Sequence, residues 1–300
     1  MKTSNDLKLI ALTAAIMLAA VGSSAQATEG GGGVYPNGNE NYMAGAVPPP
    51  GTYFLTYASH YEASTLKDNS GNTIPLNFNV QADAVALRVV RVTNQQLLGG
   101  QLLFHAVAPL VNLKVKVGAN EDSTSGLADM VFGTGLAYHA SDKLHYVWAV
   151  DVTAPTGSYD SKKMANLGRN YWNIEPVFAL TYVQPTGFNA DVKIMYDING
   201  VNSVTSYRSG QELHADYSAG WALGNGWTLG VGGFVYQQIS DDQQNGATVA
   251  NNKGRAYAIG PSIKYDGGKG WFLTAKFEKE YGVVNRAEGS TFRIKALLPF

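Results

Sequence analysis

The sequence predicts an all-β protein, a transmembrane antiparallel up-and-down β-barrel of about 12 strands of the bacterial outer-membrane type. Three observations predict it. Two-residue alternation of apolar and polar side chains runs from Gly51 to the end of the chain. Long and short connections alternate between the alternating segments. The composition is poor in charge (15% Asp, Glu, Lys and Arg, against about 25% in soluble domains) and rich in Gly (34) and Tyr (17).

Taken in order, residues 1–27 read as an export signal. Lys2 and Lys8 supply the basic start, Leu9–Val21 an apolar run too short for a comfortable span, and Ala25-Gln26-Ala27 the small-residue cleavage pattern. The mature chain is then expected to start at Thr28. Residues 28–50 carry Gly30–Gly33, Pro36 and Pro48-Pro49-Pro50 and have no periodicity. Glycine raises the entropy cost of ordering and proline denies ladder donors, so a mobile N-terminal arm is expected there, with a lumen plug as the alternative.

Residues 51–300 form the expected barrel. Strands are placed at 51–61, 81–93, 97–117, 127–139, 144–155, 170–183, 187–198, 211–223, 226–239, 254–265, 270–283 and 289–300. Phe188, Ala190, Val192, Ile194, Tyr196 and Ile198 form one face of a strand, and Asn189, Asp191, Lys193, Met195 and Asp197 the other. Successive strand side chains point to opposite faces, so one row meets lipid and one the lumen. Tyr and Trp near both ends of the apolar rows, as in Trp172–Tyr182 and Tyr257–Tyr265, fit the girdles of a membrane barrel. The third strand is overlong and carries Pro109.

Connections support the same topology, because even-numbered strands should end in tight periplasmic turns and odd-numbered ones in long outer loops. Ala140–Lys143, Gln184–Thr186, Gly224–Asn225 and Asp266–Lys269 are short; Glu62–Val80, Thr156–Arg169, Asn199–Gly210 and Ser240–Lys253 are long. Val284–Glu288 is shorter than the rule wants. At the end of the chain Phe292, Ile294, Ala296, Leu298 and Phe300 make an apolar row opposite Arg293 and Lys295. Phe292, Ile294, Leu298 and Phe300 read as a C-terminal assembly signal for the barrel assembly machinery.

Function classes fall away quickly. A net charge of −1 leaves no footprint for nucleic acid, and zero Cys excludes disulfides, thiolate metal sites and thiol nucleophiles. Gly230-Val231-Gly232-Gly233 lies inside a strand pattern, so it is no dinucleotide fingerprint, and no cofactor is expected. His60, His105, His139, His145 and His214 have no close ligand spacing. His139 and His145 flank a turn and can approach each other, as a metal pair or as polar rim residues. His214 and Asp216 share a face and offer a base and its orienter, yet no nucleophile motif joins them. Asp241-Asp242 and Asn251-Asn252-Lys253 read as solvated loop, with calcium binding the lesser alternative because the spaced oxygen-ligand pattern is missing. No catalytic, cofactor or metal residue is assigned, and the protein is not expected to be an enzyme.

The polar parity names the candidate lumen lining: Asp151, Glu175, Asp191, Lys193, His214, Asp216, Lys264, Lys276, Glu278, Arg293 and Lys295, with His145 and Glu280 on the same parity. Both signs are mixed, which disfavours strong ion selection. Tyr159, Tyr171, Trp172 and Tyr207 are the candidate loop aromatics for an entry surface, with an interfacial belt as the plainer role of Tyr171 and Trp172.

Several stretches resemble a known family, the outer-membrane proteins associated with the meta-cleavage pathway of phenol degradation. They are Gly126-Leu127-Ala128-Asp129-Met130, Tyr138-His139, Pro155-Thr156-Gly157-Ser158-Tyr159, Asn166-Leu167-Gly168-Arg169-Asn170-Tyr171-Trp172 and Pro176. The series continues through Thr186-Gly187-Phe188, Ser209-Gly210-Gln211-Glu212-Leu213-His214-Ala215-Asp216, Gly226-Trp227, Gly260-Pro261 and Pro299-Phe300. Ala128 departs from the pattern, which would place Gly before Asp129. The resemblance implies an exported barrel in outer-membrane lipid that passes small hydrophobic, aromatic solutes. Since nothing in the chain reads as a nucleotide site, passage without energy coupling is expected. It supplies no catalytic residues. A closed structural or anchoring barrel is the alternative, and a barrel-borne hydrolase the remote one.

Overall fold

The computed structural model describes residues 29–299. Its strands close into one antiparallel barrel of twelve. They are Gly51–Leu66, Phe78–Leu97, Gly100–Val117, a fourth in two parts (Asn120–Leu127 and Met130–His139), Leu144–Ala154, Asn173–Tyr182, Thr186–Asn199, Glu212–Leu223, Trp227–Gln238, Arg255–Asp266, Phe272–Val284 and Ala287–Pro299. Each pairs with its neighbours in sequence, and the first closes on the last, with Tyr57 opposite Lys295. Closure leaves no unpaired edge around the wall, the condition for a sheet to stand in lipid.

The alternation explains which face points where. Phe188, Ile194, Trp221, Leu229 and Phe292 are exposed on the outside, whereas Asn189, Asp191, Lys193 and His214 are buried inside. At the short-turn end, Trp227 packs on Tyr265 and Tyr265 on Trp271, with ring centroids 4.6 and 5.6 Å apart. These rings build the inner girdle. Trp172, Tyr257 and Tyr281 stand on the opposite side, the outer end.

Several strand bounds differ from the sequence expectation, each for a local reason. The second and third strands run on to a two-residue turn, Leu98-Gly99, where both residues take left-handed φ (51° and 78°). Such a turn fits a hairpin's twist and places Gly where the backbone needs it. Pro109 does not interrupt the third strand. It pairs with Ala86, and its carbonyl accepts from Ala128 N at 2.9 Å. The regular ladder to the fourth strand departs there, at Ala128-Asp129, where Pro109 has no N–H to give.

The first part of the fourth strand, Asn120–Leu127, pairs only with the third and extends past the wall. So the expected outer loop after strand three is a tight hairpin on a protruding ribbon. The turn after strand eleven is likewise tight, with Asn285 at φ 53°. Three short strands, Tyr207–Arg208, Asp242–Gln244 and Ala247–Val249, form a small sheet over the outer end.

Residues 29–50 are not free of the barrel. The sequence alone favoured a mobile arm over a plug, but the structure puts this segment in the lumen, where Asn37, Glu40, Asn41 and Tyr42 are buried. The reason is chemical: the inward polar row offers ions and hydroxyls to a segment whose own backbone groups have no ladder. Residues 1–28, including the expected signal, and Phe300 of the assembly row lie outside the described residues.

Candidate functional site: the lumen and its N-terminal segment

The segment can be followed from the inner end upward. Tyr53 donates its hydroxyl to Pro49 O at 2.7 Å, fixing the exit from the first strand. Ala44 and Val47 pack on an apolar ring of the wall made by Val90, Val92, Leu103, Ala137, Val147 and Ala179. Ala44 N donates to Asp191 Oδ1 at 3.0 Å and Gly45 N to Thr181 Oγ1 at 2.8 Å. Thr181 in turn donates to Asp191.

Mid-lumen, the contacts are ionic. Lys295 Nζ reaches Glu40 Oε2 at 2.6 Å and Tyr42 O at 3.1 Å. Arg88 and Tyr57 both donate to Glu40 Oε1, at 3.3 and 3.0 Å. Lys276 Nζ donates to Gly38 O and Glu40 O at 2.6 and 3.0 Å, and Arg293 Nη2 to Asn37 O at 2.6 Å. Glu278 holds those two cations, 3.0 Å from Lys276 and 2.8 Å from Arg293. Gly38 is at φ 82° with the Glu278 carboxylate directly against it, so a side chain there meets both strain and a charge. Lys264 approaches Met43 Sδ at 3.7 Å, and Ser262 donates to Asn41 at 2.9 Å.

Asp216 takes three donors from the segment: Tyr35 OH at 2.7 Å, Gly38 N at 2.7 Å and Glu40 N at 2.8 Å. Lys193 lies over the Tyr35 ring, 4.5 Å from its centroid, and the His214 ring leans against it, tilted by 37° with centroids 5.1 Å apart. At the outer end Glu29 N donates to Ser209 Oγ at 3.3 Å. The Glu29 carboxylate accepts from Tyr159 OH at 3.1 Å and Asn202 Nδ2 at 2.8 Å.

The loops above are knotted through Asp242. It accepts from Tyr207 OH and Gly210 N at 2.6 Å each, Gln238 Nε2 at 2.7 Å and Asn252 Nδ2 at 2.5 Å. Burial pushes its carboxyl above the usual range, against the pull of those donors. The expected solvated loop is therefore corrected at Asp242, which is fully buried. Reading Asp-Asp as solvent-facing failed because nothing in one loop announces a donor in another.

Among the candidate lumen residues, all eleven side chains lie on the inner face. Asp191, Lys193, Asp216, Lys264, Lys276, Arg293 and Lys295 touch the segment directly, Glu278 grips two of these wall cations, and the His214 ring leans against Tyr35. Asp151 pairs with His105 at 2.8 Å, and Glu175 stands 3.6 Å from His214. The supposed His214–Asp216 couple does not form. His214 Nε2 is 2.8 Å from Asp197 instead, and Asp216 is taken up by the segment.

His139 and His145 do meet at the inner rim, Nδ1 to Nδ1 at 2.8 Å, a distance that one shared proton accounts for. Of the loop aromatics, Trp172 is 60% exposed on the outer face, while Tyr171 is buried at 3%, so it belongs to no lipid belt. Tyr159 and Tyr207 have their hydroxyls tied to Glu29 and Asp242. Glu40, Arg88 and Tyr57 escaped the sequence reading: Glu40 lies in a stretch without periodicity, and parity alone could have named the other two.

A closed twelve-strand barrel with an apolar outer face and a polar, filled lumen defines the class: a β-barrel of the outer-membrane type. The chain belongs to the family described as "Putative MetA-pathway of phenol degradation", whose model matches residues 63–296. Among solved structures it is similar to an outer-membrane channel from Pseudomonas putida F1, with a TM-score of 0.74 and 18% identity, over 87% of this chain and 99% of that one. At that identity the likeness is one of fold. The translocator domain of the autotransporter NalP from Neisseria meningitidis is also similar, with a TM-score of 0.49 and 10% identity, over 85% of this chain and 91% of that one. No curated protein matches the chain.

Proposed function

We propose that the protein is a conduit for passive uptake of small hydrophobic, chiefly aromatic, compounds across the outer membrane, closed at rest by its own N-terminal segment. The observation that carries this reading is the way the lumen is filled. Its centre is occupied by a separate stretch of chain held by hydrogen bonds and ion pairs, attached to the wall covalently only through the first strand. A seal of that kind can leave without breaking the barrel.

Family membership supplies the link to aromatic catabolism. The lumen fits neutral solutes better than ions, since charges of both signs stand side by side and create no one-signed field. Two apolar patches line it, the Val90–Leu103–Ala179 ring below and Phe234, Tyr236, Ala256, Ala258 and Val283 on another part of the wall. Aromatic rings gain area burial on such patches once the segment departs. In the same reading, residues 1–27 direct export and are then removed, and the C-terminal row addresses the assembly machinery. The wall has no catalytic task.

The test is uptake of phenol and toluene at low concentration by cells with and without the protein. Faster uptake is expected with it. Equal uptake of every compound, with the folded barrel confirmed in the membrane, leaves the closed anchoring barrel as the function.

A further inference from the structure

Four carboxylates stand in register across four adjacent strands on the inner wall. Asp151 lies opposite Glu175 and Glu212 opposite Asp197. Glu175 and Asp197 face each other between the pairs Ile174–Ile198 and Val177–Met195. All four are buried. Like charges directly opposite across strands repel, and buried ones are costly unless cations stand among them. His105 serves Asp151. Glu175 and Asp197 share the His214 imidazole, and Glu212 accepts from Asn199 Nδ2 at 3.1 Å. The nearby cations Lys193 and Arg286 also lie over the rings of Tyr35 and Tyr236.

We propose that Glu175, Asp197 and His214 hold a divalent metal cation of the zinc class. One oxygen of each carboxylate and one imidazole nitrogen all lie within 4.8 Å of one another, and the three side chains come from three consecutive strands. His214 Nε2 is 2.8 Å from Asp197 Oδ2 and 3.6 Å from Glu175 Oε2, spacings that a small rotation of each group turns into a shared shell. Imidazole with carboxylate oxygens is a donor set that zinc accepts.

A separate feature points the same way. Asn173 is wholly buried, and its Nδ2 donates to Asp197 Oδ1 at 2.9 Å and Asn199 Oδ1 at 2.8 Å, so the amide faces this cluster. Its Oδ1 has no hydrogen-bond partner. A buried acceptor without a donor is costly, and a cation in the cluster supplies what it lacks. The ion would join the sixth, seventh and eighth strands directly behind Tyr35 of the segment, stiffening the wall where the seal rests on it.

The test uses the mature protein refolded in detergent after chelator treatment and titrated with Zn2+, followed by metal analysis and calorimetry. About one zinc per chain should be retained, and Zn2+ should raise the thermal midpoint. Asp197→Asn and His214→Gln should each weaken binding at least roughly tenfold and abolish the thermal shift, with folding checked by heat-modifiable gel mobility. If either variant does not fold, Glu175→Gln is read in its place.

The pair at the inner rim is the control, with His139 and His145 both changed to Gln. That variant should bind as the wild type does. Retention of no zinc, or loss of binding in the rim variant alone, overturns the assignment. Displacement of the zinc by equal Ca2+ overturns the metal class.

Discussion

Asp216 is the residue on which the N-terminal segment hangs, because it alone accepts from both the Tyr35 hydroxyl and two backbone amides. Hydrogen bonds to a charged group contribute about 1.5–3 kcal/mol each. Asp216→Ala should therefore loosen the seal and raise the open fraction in planar bilayers at least tenfold, since about 1.4 kcal/mol suffices for that factor. An unchanged open fraction would mean that Asp216 is no latch. The neighbours Lys193 and Ile194 illustrate the two faces. Ile194 is exposed to lipid, and Ile194→Arg should cost about 2–4 kcal/mol near the midplane. From the sequence alone Lys193→Gln reads as mild, because a lumen residue is expected to meet water. Yet Lys193 is buried over the Tyr35 ring, so Lys193→Gln should also destabilise, by about 1–3 kcal/mol. Urea titration of folding into vesicles checks both values. A Lys193→Gln protein as stable as the wild type would show a lumen wetter than its packing implies.

The fourth strand explains the motif Gly126-Leu127-Ala128-Asp129-Met130. Its break frees Asp129 to accept from Gly157 N at 2.8 Å and Arg169 N at 2.7 Å, pinning both ends of the long loop between strands five and six. Asp122 on the protruding ribbon takes Met164 N and Ala165 N at 3.0 and 3.1 Å. Ala128, where the family pattern expects Gly, does not prevent the break, since its amide still bonds Pro109. Asp129→Ala should accelerate trypsin cleavage at the exposed Lys162 and Lys163 by roughly tenfold or more, from the loss of two charge-assisted bonds, while the barrel stays folded. Unaltered cleavage would place the loop's anchorage elsewhere. The limits of the sequence follow from the same elements. Wherever a strand crosses lipid, one face must be apolar, and period two was legible to within a few residues. Asn120–Leu127 protrudes past the wall, where no face has to be apolar, so nothing enforced alternation of side-chain character and its length was missed. Asp242 was misjudged because two of its donors, Tyr207 OH and Gly210 N, sit in another loop, far along the chain.

At the scale of the molecule, the segment and the wall are two objects with separate sources of stability. The wall is closed by ladders between all twelve strands, and none of those ladders includes residues 29–50. The segment was illegible as a plug because its grip uses backbone amides and carbonyls against side chains scattered over many strands. Deleting residues 28–47, with the Pro48-Pro49-Pro50 lead into the first strand kept, should therefore leave a folded barrel. Lys276, Lys295, Arg293 and Asp216 would lose their partners in that variant, but water entering the vacated lumen would hydrate them and much of the burial cost would go with it. Vesicles with the truncated protein should swell rapidly in small neutral solutes, and planar bilayers should carry steady currents with a cation-to-anion permeability ratio near one, because both signs line the wall. The full-length mature protein should stay mostly closed under the same conditions. A truncated barrel that folds and does not conduct would mean that the wall closes on itself, and the segment would then be a filler of the lumen and not its gate.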